Sequence, residues 1–282
     1  MHFLNAFAVL DPKGTISLAE RALMIHAVEF MLIVAIPVYI LLFFFAWRYR
    51  DRGAEERANT THSGVAYMPD WEHGKMEELI WWAIPFEIIL ILGALTWGST
   101  HALAPTKPLS DAPPLVIDVV ALDWKWLFIY PAQGIATVDY IRIPVNQPVE
   151  FMVTADAPMN SFWIPQLGGQ IYAMTGMVNP INLEASETGV YQGGSANYSG
   201  AGFAQMQFKA EATSQADFES WVANVKSTAS APLTLSTYNV LAQPTATNTI
   251  EYYGAVEPTL YNTIVTKFMD LKSIRMQMND DD

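Results

Sequence analysis

The sequence contains no cysteine, and its five histidines all lie at or before position 101 (His2, His26, His62, His73 and His101). Everything that follows His101 therefore lacks both thiolate and imidazole ligands. The absence of cysteine excludes disulfides, iron–sulfur clusters, thiolate zinc sites and cysteine nucleophiles. The absence of histidine from the C-terminal two thirds also argues against a serine triad and a histidine metal cluster there.

Positive charge is scarce as well. The chain has 15 Lys and Arg against 28 Asp and Glu, for a net charge of −13. A general nucleic-acid binder needs a basic surface, so nucleic acid is not an expected partner. Only 15% of the residues are charged and 51% are hydrophobic, whereas an average soluble domain has about 25% charged residues. This deficit predicts membrane segments and excludes a disordered chain.

Two long apolar runs account for the deficit. Residues 30–47 contain no charge, and residues 79–98 are interrupted only by Glu87. About 20 apolar residues span a bilayer, and tryptophans lie near the ends of the runs, as in an interfacial aromatic belt: Trp47, Trp81, Trp82 and Trp97. The pattern predicts a transmembrane helical hairpin over residues 22–103. A pair of buried helices in a soluble protein is the alternative.

The basic residues orient this hairpin. The connecting loop, about residues 48–78, carries five of them: Arg48, Arg50, Arg52, Arg57 and Lys75. The preceding segment, residues 1–21, carries only Lys13 and Arg21. The positive-inside rule places the loop in the cytoplasm and both ends of the chain outside. No basic region precedes an apolar core near the N-terminus, so a cleavable signal peptide is not recognisable. Either the first helix is exported uncleaved or an upstream segment is missing.

The pattern changes after a proline-rich linker at residues 104–114. Residues 115–212 contain short runs rich in β-branched and aromatic residues, such as LVIDVVAL (115–122), WKWLFIY (124–130) and IATVDYIRI (135–143). Short strands at this spacing predict an antiparallel β-sandwich or barrel. Residues 213–282 predict a helical extension with an acidic tail, beginning at a Ser214–Asp217 capping box and including a second helix from Pro258. The predicted fold class is a two-helix membrane hairpin followed by an all-β domain and C-terminal helices.

Several motifs carry a resemblance to a known family. They are Thr100–Leu103 (THAL), Asp123–Trp126 (DWKW), Met159–Gly168 (MNSFWIPQLG) and Gly194–Met206. With these, the chain resembles subunit II of the haem–copper terminal oxidases, and most of all the branch of the bo-type ubiquinol oxidases. The resemblance extends from about Leu10 to Met269. It implies that the β domain is cupredoxin-like.

The resemblance also implies where a dinuclear copper site would lie. In copper-bearing relatives the ligands are a histidine, then two cysteines with a glutamate between them, a second histidine and a methionine. The corresponding residues here are Asn160, Ser195, Asn197, Ser199, Phe203 and Met206. Only the methionine is retained, and soft thiolates with imidazoles are what copper requires. These residues therefore predict no metal on this chain and a core role for Met206.

The function implied by the resemblance belongs to a complex. Such a complex oxidises quinol, reduces dioxygen to water and pumps protons across the bacterial inner membrane. Its haems and copper are expected in subunit I, so this chain would hold no cofactor and would not itself be catalytic. The implied partners are subunit I, subunit III, a small subunit IV and membrane lipid. Two alternatives stay open: a copper-bearing cytochrome c oxidase subunit II, and a free-standing membrane-anchored cupredoxin-like binding module.

Two acidic residues are candidates for a proton path. Glu78 precedes Pro85 by seven residues, where the resemblance implies a glutamate at the mouth of a proton channel in subunit I. The alternative is a solvated carboxylate that favours the positive end of a helix. Glu87 lies deeper in the predicted span, where a carboxyl is costly. It is either a hydrogen-bonded residue at an interface with subunit I or a proton relay.

Two further features follow from the resemblance. In copper-bearing relatives, the first aromatic residue of the WKW region lies where electrons enter. Without copper, packing of the β core is the expected role of the cluster Trp124, Trp126, Phe128 and Tyr130. Bo-type relatives often carry a lipid-modified cysteine near the N-terminus, and residues 2–10 have none. Either this lineage dispenses with the anchor or the sequence starts late.

Overall fold

The computed structural model describes residues 5–48, 50, 74–229, 231–246 and 249–269. Most of the predicted cytoplasmic loop and the acidic tail lie outside the described residues. The chain divides into two compact units. Residues 22–102 form a helical unit, and residues 1–21 together with 103–282 form the other, which is called the outer unit below.

The described residues of the helical unit belong mainly to two long helices, α1 (Thr15–Arg48) and α2 (Lys75–Ala102). Both are long and apolar enough to cross a membrane. With 34 residues, α1 is about 51 Å long at ~1.5 Å per residue, well beyond a hydrocarbon core of ~30 Å. Its first residues accordingly belong to the outer unit. Large apolar side chains such as Phe43 and Trp82 are exposed in the chain alone, as expected for helices that face lipid or other subunits.

The outer unit is built on two β-sheets. Its strands are β1 (Leu115–Leu122), β2 (Lys125–Tyr130), β3 (Ile135–Val138), β4 (Tyr140–Pro144), β5 (Val149–Ala155), β6 (Asn160–Trp163), β7 (Ile171–Ala173), β8 (Asn179–Leu183), β9 (Gly189–Ser195), β10 (Gln207–Thr213) and β11 (Glu251–Tyr253). One sheet has the order β11-β3-β2-β1-β5-β8, and the other has the order β4-β10-β9-β6-β7. Most neighbouring strands are antiparallel, but β1 pairs with β5 and β4 with β10 in parallel.

An aromatic core fills the space between the sheets. Phe162 and Phe208 stack with a centroid separation of 5.4 Å, and the Trp126 indole meets Phe162 edge-on at 5.6 Å. All three side chains are buried. Burial of each large apolar side chain contributes about 1.5–3 kcal/mol. The core leaves no space at Gly193 of β9, where a Cβ would lie 2.1 Å from the Phe208 ring.

A sharp corner divides the segment 135–143, which the sequence predicted as one strand. That prediction is wrong: β3 lies in the six-stranded sheet and β4 in the five-stranded sheet. Asp139 forms the corner with a φ of 53°, a left-handed conformation that Asp tolerates better than most residues. Its amide donates to the Trp126 carbonyl, and its Oδ1 accepts from the Trp126 amide at 2.8 Å. The chain can therefore change sheets within one residue.

Residues 231–246 and 249–269, here called the C-terminal cover, pack on the outer face of the six-stranded sheet. They follow α3 (Gln215–Thr228) and contain α4 (Leu235–Leu241), β11 and α5 (Leu260–Thr266). Val120 and Leu127 of the sheet share a second hydrophobic cluster with Leu233, Tyr238 and Ile264 of the cover. The Tyr238 hydroxyl also donates to Asp156 at 2.6 Å. The predicted Ser214 cap of α3 is confirmed, and the helix expected from Pro258 begins at Leu260.

The segment before the first apolar helix is joined to the β domain. Gly14 forms an antiparallel bridge with Ala185, and the Lys13 amide donates to the Gln166 carbonyl at 2.7 Å. The Ser17 hydroxyl donates to the same carbonyl, also at 2.7 Å. A Cβ at Gly14 would lie 2.5 Å from the Glu184 carbonyl oxygen, so this approach requires glycine. These contacts fix the start of α1 on the outer unit.

Candidate functional site

The positions that correspond to copper ligands come together at one end of the sandwich. Asn160 begins β6 and Ser195 ends β9. These strands are antiparallel neighbours, with Phe162 opposite Ser195. The remaining positions lie in the segment that connects β9 to β10, here called the 195–206 loop. Strand pairing therefore brings residues 160 and 195 together, as the resemblance to subunit II implied.

A direct hydrogen bond joins the first two positions. Ser195 Oγ lies 2.8 Å from Asn160 Oδ1 and 3.2 Å from the Asn197 carbonyl oxygen. Both of these are acceptors, so the single hydroxyl proton serves the shorter contact. Asn160 is buried, and its Nδ2 donates to the Pro158 carbonyl at 2.8 Å. Residues at ligand positions are thus hydrogen-bonded to one another.

The other positions show no ligand chemistry. Ser199 Oγ is buried without a hydrogen-bond partner among the described residues. The Phe203 ring lies edge-on to Tyr198 at 5.7 Å. Met206 is 1% exposed and belongs to the aromatic core. This burial agrees with the core role that was expected for Met206.

The Trp124 indole packs against the 195–206 loop. Its Nε1 donates to the Ser199 carbonyl at 3.2 Å. A Cβ at Gly202 would lie 2.3 Å from the ring, so glycine is needed for this approach. Trp124 itself has a φ of 66°, a left-handed conformation that is uncommon for a bulky residue. The sequence suggested packing for Trp124 but not its contact with this loop.

The three aromatic residues that follow Trp124 lie inside the sandwich. Trp126, Phe128 and Tyr130 alternate along β2 and are all buried in the inner core. Leu127 and Ile129, between them, face the C-terminal cover. Both faces of β2 are thus packed, and burial raises the pKa of the Tyr130 hydroxyl. The expectation of a packing role accords with these contacts.

The donor set does not fit a dinuclear copper centre. It offers two hydroxyls, two amides, a phenyl ring and a thioether, where a copper pair needs anionic sulfur and imidazole nitrogen. Ser195 and Asn160 already satisfy one another. In the described parts of the chain, no three His, Cys, Asp or Glu residues are placed to hold a metal ion.

The two candidate proton-path residues both lie on α2. Glu78 is in its first turn, and its amide donates to the Gly74 carbonyl at 2.9 Å. Glu78 is partly exposed, whereas Glu77 and Glu87 are exposed in the chain alone. None of the described residues forms an ion pair with these three carboxylates. The geometry leaves Glu78 and Glu87 accessible to a partner or to water, and their roles stay predictions.

The sequence did not indicate two buried aspartates, Asp139 and Asp118. Asp139 is 3% exposed, and burial raises its pKa to about 7. Asp118 on β1 is 9% exposed, and burial raises its pKa to about 6. Neither has a motif around it. Asp118 lies within an otherwise apolar run, LVIDVVAL, and that position is the one signal by which it could have been found.

Models of two protein families match the outer unit. "Cytochrome C oxidase subunit II, periplasmic domain" matches residues 115–213, and "COX Aromatic Rich Motif" matches residues 228–272. The first covers β1 to β10, and the second covers the C-terminal cover. The outer domain is therefore a cupredoxin-like β-sandwich of the subunit II type.

Curated relatives match almost the whole chain. Cytochrome bo(3) ubiquinol oxidase subunit 2 of Pseudomonas putida is 51% identical over 93% of this chain and 81% of its own length. Ubiquinol oxidase subunit 2 of Acetobacter aceti is 47% identical over 92% and 82%. Quinol oxidase subunit 2 of Bacillus subtilis (strain 168) is 36% identical over 84% and 72%.

Among solved structures, the periplasmic domain of subunit II of cytochrome oxidase from Bradyrhizobium japonicum is 26% identical, with a TM-score of 0.39. That match covers 43% of this chain and 96% of the solved one. The two apolar helices, together with a domain of the periplasmic type, make this a membrane protein with a periplasmic C-terminal domain. Because these curated relatives match it at high identity over most of its length, the chain belongs to the family of subunit II of the bo-type ubiquinol oxidases.

Proposed function

We propose that this chain is the copper-free, non-redox subunit II of a proton-pumping ubiquinol oxidase in the bacterial inner membrane. The complex oxidises ubiquinol and reduces dioxygen to water. The chain acts as a structural subunit, and its Glu78 contributes to proton entry. The observation that carries the proposal is the hydrogen bond between Asn160 and Ser195, two ligand positions that have become partners of each other.

The electron path in this proposal avoids the outer domain. A soluble electron donor needs a relay in subunit II, and a hydrogen-bonded Asn–Ser pair beside a buried methionine has no accessible redox state. Quinol instead delivers electrons to the haems and copper of subunit I. Subunit III and a small subunit IV complete the complex. The chain's own part is to pack against subunit I through the exposed apolar surfaces of α1 and α2.

Metal analysis of the purified complex tests the non-redox role. We expect haem and subunit I copper in a fixed ratio, no further copper, and ubiquinol-dependent oxygen uptake without added cytochrome c. Two extra coppers that are lost when this chain is removed would instead identify a copper-bearing cytochrome c oxidase subunit. Purification of a tagged chain without any haem-bearing partner would identify a free-standing membrane module.

The proposal includes a proton-collecting role for Glu78. This carboxylate lies at the cytoplasmic start of α2, one turn from the end of the basic loop, and is only partly exposed. A carboxylate at a water–membrane boundary can accept a proton from water and pass it to a channel in the neighbouring subunit.

The substitution Glu78→Ala tests that role. We expect oxygen uptake of the assembled complex to slow by roughly two- to tenfold, equivalent to at most ~1.4 kcal/mol of barrier. Glu77→Ala, which removes the adjacent, more exposed carboxylate, is the matched control and is expected to leave turnover unchanged. Haem content reports on assembly. Equal turnover of the Glu78→Ala and wild-type complexes at equal haem content would remove the proton role and leave the structural role intact.

A further inference from the structure

A cavity of about 130 Å³ lies in the outer unit beside the start of α1. Ile16, Leu103 and Leu183 supply apolar walls, and Glu20 and Asn182 supply polar groups. The walls come from three parts of the chain: the first turns of α1, the residues that follow α2, and the β7–β8 region. Glu20 lies near the start of α1, and Leu103 directly follows α2. The cavity is therefore lined in part by residues that are close in sequence to both candidate membrane spans.

Two adjacent glycines allow the cavity to form. A Cβ at Gly169 would lie 2.8 Å from Glu20 Oε1, and a Cβ at Gly168 would lie 2.6 Å from Leu183 Cδ2 and 3.1 Å from Ile16 Cγ2. A larger residue at either position would require the side chain of Glu20, Leu183 or Ile16 to move. The hydrogen bonds of Ser17 to the Gln166 and Gly14 carbonyls hold the start of α1 in place. The position of the Glu20 carboxylate is therefore set by the fold.

The polar groups of the cavity have unused acceptor capacity. The Glu20 carboxylate accepts a hydrogen bond from the Gly169 amide, and no described Lys, Arg or His forms an ion pair with it. The backbone amide and the Nδ2 of Asn182 both donate to the Pro105 carbonyl, at 3.0 and 3.2 Å. No described residue donates to Asn182 Oδ1. An occupant should therefore be a cation that carries hydrogen-bond donors.

We propose that this cavity binds the primary ammonium headgroup of a phospholipid. One carboxylate and one amide oxygen are too few ligands for Ca²⁺, which takes six to eight oxygens. An ammonium needs about three acceptors, and its methylenes suit the walls formed by Ile16, Leu103 and Leu183. The volume is that of about four waters, and an ethanolamine headgroup has four heavy atoms. The proposal does not depend on the oxidase function.

Lipid retention by the full-length chain tests the site. The chain is reconstituted in vesicles of phosphatidylethanolamine, phosphatidylcholine and phosphatidylglycerol, extracted in a mild detergent, and analysed by native mass spectrometry. The first two lipids share the same phosphate, but the choline headgroup has no N–H donor. We expect the wild-type chain to retain one phosphatidylethanolamine at about tenfold or greater preference over phosphatidylcholine. Equal retention of the two lipids would overturn the proposal.

The substitution Glu20→Gln is expected to abolish that preference. Glu29→Gln is the matched control, because Glu29 is an exposed carboxylate farther along the same helix, and it is expected to behave as wild type. Undiminished preference in the Glu20→Gln chain would contradict the proposal. The lipid comparison on wild type needs no variant, so it decides the matter even if Glu20→Gln fails to fold. In a separate arm, binding of free ethanolamine in preference to the lipid would refute a membrane source for the ammonium.

Discussion

The aromatic core and the 195–206 loop are neighbours, yet different forces hold them. The core consists of tightly packed rings between two sheets, with Phe162 stacked on Phe208 and no room for a methyl group at Gly193. The loop is held by a few polar contacts, chiefly Ser195 with Asn160 and Trp124 with the Ser199 carbonyl. Asn160, Ser195 and Ser199 take part in these polar contacts, whereas Met206 belongs to the core. We therefore expect substitutions at the polar loop positions to disturb the sandwich less than substitutions in the aromatic core.

The largest loss of stability is expected from a substitution that crowds the aromatic core. Gly193→Ala places a methyl group 2.1 Å from the Phe208 ring, which the stack with Phe162 prevents from moving freely. We expect a loss of about 3 kcal/mol in the free energy of unfolding, the upper part of the usual cost of overpacking. Thermal unfolding of the full-length chain in detergent, followed by near-UV circular dichroism, measures it.

Gly189→Ala is the control for that experiment. It lies on the same strand, and its Cβ would meet no atom closer than 3.6 Å. We expect a change within ~0.5 kcal/mol. If the two alanine variants unfolded at the same temperature, the core would be looser than its packing indicates.

A smaller effect is expected at the corner between β3 and β4. Burial raises the pKa of Asp139 to about 7 from an ordinary value of 3.8. The folded state therefore holds this proton more tightly than the unfolded state. The contribution of Asp139 to the free energy of unfolding should be highest below about pH 4, where both states are protonated, and should be lost progressively as the pH rises from about 4 to about 7.

The substitution Asp139→Asn tests this pH dependence. Asn keeps the oxygen that accepts from the Trp126 amide and tolerates the left-handed φ. We expect urea titrations of this variant to give a flatter pH profile, with the remaining slope due to Asp118, whose pKa is about 6. Asp111→Asn, in the exposed linker, should leave the wild-type profile. If Asp139→Asn left the pH dependence of the free energy of unfolding unchanged, ionisation of Asp139 would not destabilise the folded state, and the prediction would be wrong.

The smallest effects are expected in the loop, and they should distinguish its two serines. Ser195→Ala leaves Asn160 Oδ1 without its donor, so we expect a loss of about 1 kcal/mol. Ser199→Ala removes a buried hydroxyl that has no described partner, so we expect no loss or a slight gain. Both variants should support wild-type quinol oxidation. A large loss of turnover in a folded complex would mean that the loop takes part in electron transfer.

The sequence predicted the parts of this molecule that rest on local pattern. The two apolar runs lie inside α1 and α2, and the Ser214 cap is present, because both follow from nearest-neighbour chemistry. The resemblance to subunit II located the candidate positions 160, 195 and 206, and the pairing of β6 with β9 brings the first two together. The division of 135–143 between two sheets was missed, since an aspartate in the left-handed region leaves the alternation of apolar residues intact.

Contacts between distant segments could not be predicted. The bridge between Gly14 and Ala185 joins residues far apart in sequence that share no periodic pattern. Glu20 lies in the segment 1–21 that precedes the predicted hairpin, where no motif distinguishes it, and only the fold places it against Gly169. The Gly168–Gly169 pair was the available signal, because adjacent glycines often mark a close approach of another segment.

The C-terminal cover has a practical consequence for isolating the periplasmic part of the molecule. A shortened protein that stopped at Thr213, where the cupredoxin-like sandwich ends, would leave Val120, Leu127 and their neighbours facing water. An exposed apolar sheet face of that kind promotes self-association. A soluble fragment should therefore extend through Lys267. The ammonium group of this residue forms an ion pair with Asp156, at the edge of the contact between the C-terminal cover and the sheet.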